Sequence, residues 1–302
     1  METSLPLTDS LPDLFTDTGV SSGVINARPR SSGGWKAYRA TDQSDGAAIS
    51  FLGVDYWRYQ TVDGGELYLT QFGLPFRHQL DPQNWYASGW FATRGQRLPG
   101  TSVIYKTRTK PVQGSAIDLI VRFSRVGQPV PLETFTLCQY PHAEFNSPFE
   151  EFSLVMELRA AQRGLQRTHL FTKKPLAVFV PHEQLQPWQT GRCESKIAAK
   201  RARHPEVPID MQRHYVLLYG WVNGQDAVQT AQLLGLSGES RVSFLTWITQ
   251  GAIEDLKQHG FRMLDIKPQH LVLRLRSDGS LVLHHDGRPV CALVDYELLE
   301  RI

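Results

Sequence analysis

The sequence predicts an α+β fold, in the order strands, helix, strands, insertion, helix and a final strand cluster. Three observations carry that expectation. Two β-like stretches, Ser102 to Arg108 and Ile117 to Val126, flank a turn at Pro111-Val112-Gln113-Gly114. Two helical patterns stand apart from them, one opening at Ser147-Pro148-Phe149-Glu150 and one spanning Ser240 to His259. A cluster of short apolar runs then follows the second helix.

Bulk properties set the limits. A chain of 302 residues corresponds to two domains of roughly 150 residues each. With 41% hydrophobic and 21% charged residues the composition is that of a globular protein, which excludes wholesale disorder. Lys plus Arg number 32 against 30 Asp plus Glu, a net charge of +2, so nothing marks a nucleic-acid coat or a polybasic membrane protein. No window approaches the ~18 uninterrupted apolar residues of a membrane span. Met1-Glu2-Thr3-Ser4 lacks the basic start and apolar core of a secretory signal. Cys138, Cys193 and Cys291 are odd in number and form no CxxC pair, as expected of reduced thiols in a cytoplasmic protein.

Residues 1–34 are rich in Ser, Thr, Asp, Gly and Pro and read as a disordered leader. Residues 35–94 read as an extension of short strands and loops, with apolar bursts at Ile49 to Leu52 and Leu67 to Leu69 and a turn at Asp63-Gly64. Trp57, Trp85 and Trp90 in this stretch fit core packing better than a ligand-stacking surface. Next come the two β-like stretches.

Ser147-Pro148-Phe149-Glu150 is a capping box with Pro at the first helical position, where a missing N–H costs nothing. That helix is expected to reach Arg163 and stop at Gly164. Leu176 to Val180 and Tyr215 to Tyr219 read as buried strands around an insertion, residues 181–213. The insertion carries Lys196, Lys200, Arg201, Arg203 and His204, expected to form a solvated helix face. Residues 196–204 and the N-terminal extension are the two places where a protein partner would dock. Leu245, Ile248, Ala252 and Leu256 recur at spacings of three and four and give the long helix one apolar stripe. After it, Leu271 to Leu275, Leu281 to His284 and Val290 to Val294 read as three strands joined by Asp278-Gly279 and Asp286-Gly287 turns.

The chemistry-bearing segment is Leu264-Asp265-Ile266-Lys267-Pro268-Gln269-His270. Asp265 and Lys267 stand two apart in an extended loop and can face one cleft, pairing a carboxylate base with a cation that offsets phosphoryl charge. A further carboxylate, Asp295, ends the apolar run Ala292-Leu293-Val294, which would hold a metal ligand rigidly.

These segments resemble the protein-kinase-like superfamily, whose members include the aminoglycoside and choline kinases. Asp265-Ile266-Lys267-Pro268-Gln269-His270 is similar to the catalytic loop Asp-x-Lys-Pro-x-Asn, and Val294-Asp295-Tyr296-Glu297 to the metal-binding Asp-Phe-Gly segment. The resemblance covers about residues 95–302. It implies a two-lobed kinase-like fold with an N-terminal extension. The small lobe would be 95–219 and the large lobe, shortened because the chain ends at Ile302, 220–302.

It also implies residue roles. Arg122 takes the place of the strand lysine that grips nucleotide phosphates, and Ile120, on the same strand face, lies under the adenine. Glu151 is the helix partner of Arg122, with Glu157 as the alternative, and Glu150 is left to the cap. Arg94 to Thr101, with Gly100, takes the place of the phosphate-covering glycine loop, and Tyr219 and Trp221 belong to the adenine-facing hinge. Asp265 and Lys267 would be catalytic, and Asp295 and His270 would hold Mg²⁺ or Mn²⁺ with ATP. His270 departs from the usual Asn, and Met263-Leu264 from the usual His-Arg. The implied function is ATP-dependent phosphotransfer to a protein or small molecule. The alternative is a pseudokinase scaffold that binds nucleotide or a partner without turnover.

Overall fold

The computed structural model describes residues 46–132, 136–161 and 169–302. The predicted leader and the predicted helix stop at Gly164 lie outside the described residues. The chain is a mixed α+β protein, and alternation along its central strands decides how the layers stack.

Strands β1 (Ala47–Phe51), β2 (Val54–Gln60) and β3 (Glu66–Leu69) form a meander. Two short helices, α1 (Arg77–Leu80) and α2 (Ser88–Arg94), follow. Strands β4 (Gln96–Arg97), β5 (Ile104–Arg108) and β6 (Asp118–Phe123) lead to helix α3 (Pro148–Ala161). Then come β7 (Leu170–Thr172), β8 (Pro175–Val180), α4 (Pro187–Thr190), α5 (Glu194–Arg203) and β9 (Val216–Gly220). The remainder comprises β10 (Gln225–Asp226), α6 (Ala227–Leu233), α7 (Gly238–Gln258), β11 (Phe261–Met263), β12 (Leu271–Leu273), β13 (Cys291–Leu293) and β14 (Leu299–Arg301).

Eight strands form one antiparallel sheet in the order β1-β2-β3-β8-β9-β6-β5-β4. On β6, Leu119 and Val121 face one side and Ile120 and Arg122 the other. The Leu119 side packs on Leu80, Trp85 and Phe91, and the Ile120 side packs on Phe149, Phe152 and Val155 of α3. The sheet is thus covered on both faces, which is why Pro175–Val180 is apolar along its whole length.

The N-terminal extension is therefore no separate unit. Its strands continue the sheet through β3 and β8, and its helices cover the outer face. Hydrophobic patterning shows that such strands exist but not which edge they join. Trp85 is fully buried, with Nε1–H donated to the Leu80 carbonyl at 2.9 Å, as core packing requires.

The second region holds α6, α7, a sheet ordered β10-β12-β13-β7 and the ribbon β11-β14. The α7 stripe buries Ile248, Ala252 and Leu256 as its spacing predicts, while Leu245, at the stripe's N-terminal end, is only half-buried. Asp255 of α7 accepts the backbone N–H groups of His169 (3.2 Å) and Leu170 (2.9 Å), which draws β7 alongside β13.

Two expectations are corrected. Leu281 to His284 is not a strand and makes only isolated bridges, Leu275 with Leu281 and Leu283 with Pro289. Both edges of β13 are already taken, by β12 and by β7 running parallel, so the intervening hairpin has no ladder to join. The basic face of α5 is not simply solvated. Lys200 is buried and pairs with Glu150 at 2.8 Å, His204 lies 3.0 Å from the same carboxylate, and Arg201 donates to the Ile209 carbonyl at 2.7 Å. Glu150 is exposed to this attraction because its capping role holds it at the helix start. No helix among the described residues is long and apolar enough to cross a membrane.

Candidate functional site

Buried charge concentrates at Arg122, which is 3% exposed. One side of its guanidinium pairs with Glu151 of α3, and Nη1 lies 2.7 Å from Glu297 Oε1. Glu151 also accepts the Tyr219 hydroxyl, and Glu297 accepts Ser102 Oγ–H at 2.7 Å. Burial opposes the charge on Arg122, but Glu151 and Glu297 outweigh it and raise its pKa. Burial has the upper hand at Glu297, whose carboxyl stays above its ordinary range although Arg122 pulls it down.

The capping box fixes which glutamate reaches Arg122. Ser147 N–H donates to Glu150 Oε2 at 2.7 Å and Glu150 N–H donates to Ser147 Oγ at 3.2 Å, which commits Glu150 to the helix start. Glu151, one residue on, turns to Arg122, the partner that strand alternation predicts. Glu157 instead faces Arg301, at 2.8 Å.

Segment 295–297 is clamped from three sides. Val294 N–H donates to the His270 carbonyl (2.9 Å), and Asn146 N–H donates to the Glu297 carbonyl (2.9 Å). The Asn146 amide donates to the Leu299 carbonyl (2.7 Å), and the Tyr296 hydroxyl accepts Lys173 N–H (2.7 Å) while donating to the Leu293 carbonyl. Asp295 keeps its side chain 25% exposed, with Oδ2 3.6 Å from His270 Nε2. Burial opposes its ionisation, yet His270 and Arg122 prevail and hold its pKa below the ordinary value.

Lys173, just past β7, is buried. Its Nζ stands 4.5 Å from the Tyr219 ring centroid and 5.4 Å from that of Tyr296. Burial, reinforced by Arg122, pushes its pKa down to about 8, against the attraction of Asp295, Glu151 and Glu297.

Asp265 emerges from the β11-β14 ribbon, where Leu264 N–H donates to the Leu298 carbonyl at 3.2 Å. Its Oδ2 meets Lys267 Nζ at 2.7 Å, and its Oδ1 accepts the Thr136 hydroxyl at 2.7 Å. A short 3₁₀ turn, Pro268–His270, returns the chain to β12, so the Asp265 loop ends at the residue that faces Asp295.

The remaining sequence-predicted residues are placed as follows. Gly100 sits at the tip of the β4-β5 hairpin with φ +132°, a conformation that favours glycine. Past it, Ser102 reaches down to Glu297. Ile120 is buried opposite Tyr219 in the β6-β9 ladder. Tyr219 commits its hydroxyl to Glu151, while Gly220 N–H donates to the Lys174 carbonyl (3.0 Å) and Trp221 N–H to the Asp118 carbonyl (3.2 Å). These two N–H groups, in the stretch expected to face adenine, are therefore engaged within the chain. Lys106 Nζ lies 4.0 Å over the Trp221 ring.

Sequence patterning missed Lys173, Glu297 and Thr136. Lys173 adjoins a β-run but follows no period, and Glu297 is marked only by lying two residues past Asp295. Thr136 lies in a loop, 129 residues from the carboxylate it meets.

Among the described residues, no group of three or more His, Cys, Asp or Glu side chains is arranged to hold a metal ion. Asp295 and His270 provide two donors. His270 Nδ1 is buried and has no hydrogen-bond partner among the described residues. One carboxylate and one imidazole are fewer donors than a metal site built from the protein alone would use. Compared with protein-family models and with curated proteins, the chain matches none.

Proposed function

We propose that the chain is an ATP-dependent phosphotransferase of the protein-kinase-like kind. The observation that carries this is one network: a strand cation, Arg122, paired with a helix carboxylate, Glu151, and joined through segment 295–297 to the Asp265 loop. The chain order supports it as well. A hairpin with Gly100 at its tip, the Arg122 strand, the Glu151 helix, two further sheet strands, the Trp221 crossing, the long helix, the Asp265 loop and Asp295 follow one another in the order that the resemblance implies.

In this proposal Asp265 orients the acceptor hydroxyl and takes its proton, and Lys267 offsets charge on the transferring phosphoryl group. Arg122 faces the nucleotide phosphates and Ile120 the base. Asp295 with His270 would hold Mg²⁺ or Mn²⁺, which when bound neutralises phosphate charge. The second reading, a binding scaffold without turnover, is favoured by the Glu297 carboxylate already seated on Arg122.

Thermal unfolding with ATP and either metal, beside an assay of ADP release, tests the proposal. ATP plus metal should raise the unfolding temperature, because a ligand selective for the native state stabilises it. Asp265→Asn should keep that shift and lower transfer about 10²-fold, the scale for a lost base. A shift without ADP release would leave the nucleotide-binding scaffold, and no shift with either metal would exclude the enzyme and leave only a scaffold that binds a partner without nucleotide.

A further inference from the structure

Asp265 already holds a hydroxyl. Thr136 Oγ1 lies 2.7 Å from its Oδ1, within the distance at which a general base can take a proton. The other carboxylate oxygen is occupied by Lys267 Nζ, also at 2.7 Å, so the carboxylate has one oxygen directed to a cation and one to an alcohol. Thr136 belongs to the segment between β6 and α3, far from Asp265 in sequence, and no secondary structure requires the contact. Its neighbour Leu137 is 2% exposed in the main core, which pins this part of the segment. Farther on, Phe145 is buried in that core and Asn146 is tied to the Asp295 segment. The segment that presents the hydroxyl is therefore anchored to the elements that present the carboxylates.

We propose that Thr136 is the phosphoryl acceptor of this chain's own active site, modified within the same molecule. The inference rests on the phosphotransfer proposal above. Its donor is a nucleoside triphosphate. Thr136 Oγ1 forms a bond to the γ-phosphorus, the bond from that phosphorus to the β,γ-bridging oxygen breaks, the hydroxyl proton passes to Asp265, and the nucleoside diphosphate leaves. The product carries a phosphate dianion beside the Asp265 carboxylate. Like charges repel there, so the modified side chain is expected to leave Asp265, and the reaction ends at one phosphate per chain.

The test uses the full chain with ATP and Mg²⁺ or Mn²⁺, following intact mass, the modified peptide and ADP together. Wild type and Thr136→Ser should gain one phosphoryl group at position 136, with a rate constant independent of protein concentration. Thr136→Ala and Asp265→Asn should lose that modification while unfolding as cooperatively as wild type. ADP release with Thr136 unmodified, modification only at other residues, or a rate that rises with protein concentration would each overturn the intramolecular acceptor and leave phosphotransfer standing. Absence of both ADP and modified chain with either metal would overturn phosphotransfer, and this inference with it.

Discussion

Glu297 Oε1 lies 2.7 Å from Arg122 Nη1, so a carboxylate two residues past Asp295 shares the cation that also pairs with Glu151. One guanidinium thus joins the sheet, helix α3 and the end of β13. In the proposed enzyme, nucleotide phosphates would compete with Glu297 for that cation.

Replacing Glu297 with Gln should therefore tighten ATP binding, by up to about tenfold, an equivalent of ~1.4 kcal/mol. Stability should change by no more than about 1 kcal/mol, since burial already disfavours the Glu297 charge and Gln keeps its shape. Titration of ATP against wild type and Glu297→Gln, followed by thermal shift, measures both. Equal affinities would show that Arg122 does not face the nucleotide.

Removal of Arg122 should be far more damaging than removal of either partner. Arg122→Met leaves Glu151 and Glu297 buried without their cation and is expected to cost about 4 kcal/mol. Glu151→Gln leaves Arg122 with Glu297 and should cost less. A triple variant that also makes both glutamates Gln should recover much of the Arg122→Met loss. Urea unfolding of the set gives the order, and a triple variant no better than Arg122→Met would contradict it.

Lys173 makes stability depend on pH. Its folded pKa is about 8, below the ordinary lysine value of 10.5, while Arg122, Asp295, Glu151 and Glu297 face it. Between those two values the unfolded chain holds a proton that the folded chain has released, so its contribution to stability rises with pH. Below about pH 8 the penalty is at its fullest, of order 3 kcal/mol. Lys173→Met should be more stable than wild type at pH 7, and that gain should shrink steadily toward pH 10.5. The difference between the two proteins at each pH removes the other titrating groups. A gain that stays constant across the window would show that the ammonium is not penalised.

His270→Asn tests the metal pair through metal preference. An amide oxygen suits Mg²⁺ better than imidazole does, and imidazole suits softer ions. The variant should keep or increase Mg²⁺-supported transfer and raise the ratio of Mg²⁺- to Mn²⁺-supported activity. An unchanged Mg²⁺-to-Mn²⁺ ratio would remove His270 from the metal site.

Much of this fold was legible in the sequence where a local rule acts alone. The capping box located α3 and separated Glu150 from Glu151, and the spacing of Ile248, Ala252 and Leu256 located the buried face of α7. Alternation placed Ile120 and Arg122 on one face of β6. What was missed depends on tertiary pairing. Lys200 read as a solvated cation because nothing local to α5 reveals Glu150, 50 residues earlier. Leu281 to His284 read as a strand because its composition is strand-like, but β7 took the edge it needed. Lys173 and Glu297 carry no periodic signal, and their significance arises only when β7, β9 and the end of β13 meet.

The meander β1–β3 and the helices behind it also shield a surface prone to self-association. Pairing of β3 along β8 satisfies a strand edge, and Trp85 and Phe91 cover Leu119, Val121, Phe179 and Leu218. A fragment beginning near residue 95 would bare that edge and that apolar face together, which is the template for sheet-to-sheet aggregation. The segment with no counterpart in the superfamily resemblance is thus, in physical terms, a solubilising jacket for the part to which the phosphotransfer proposal assigns its residues.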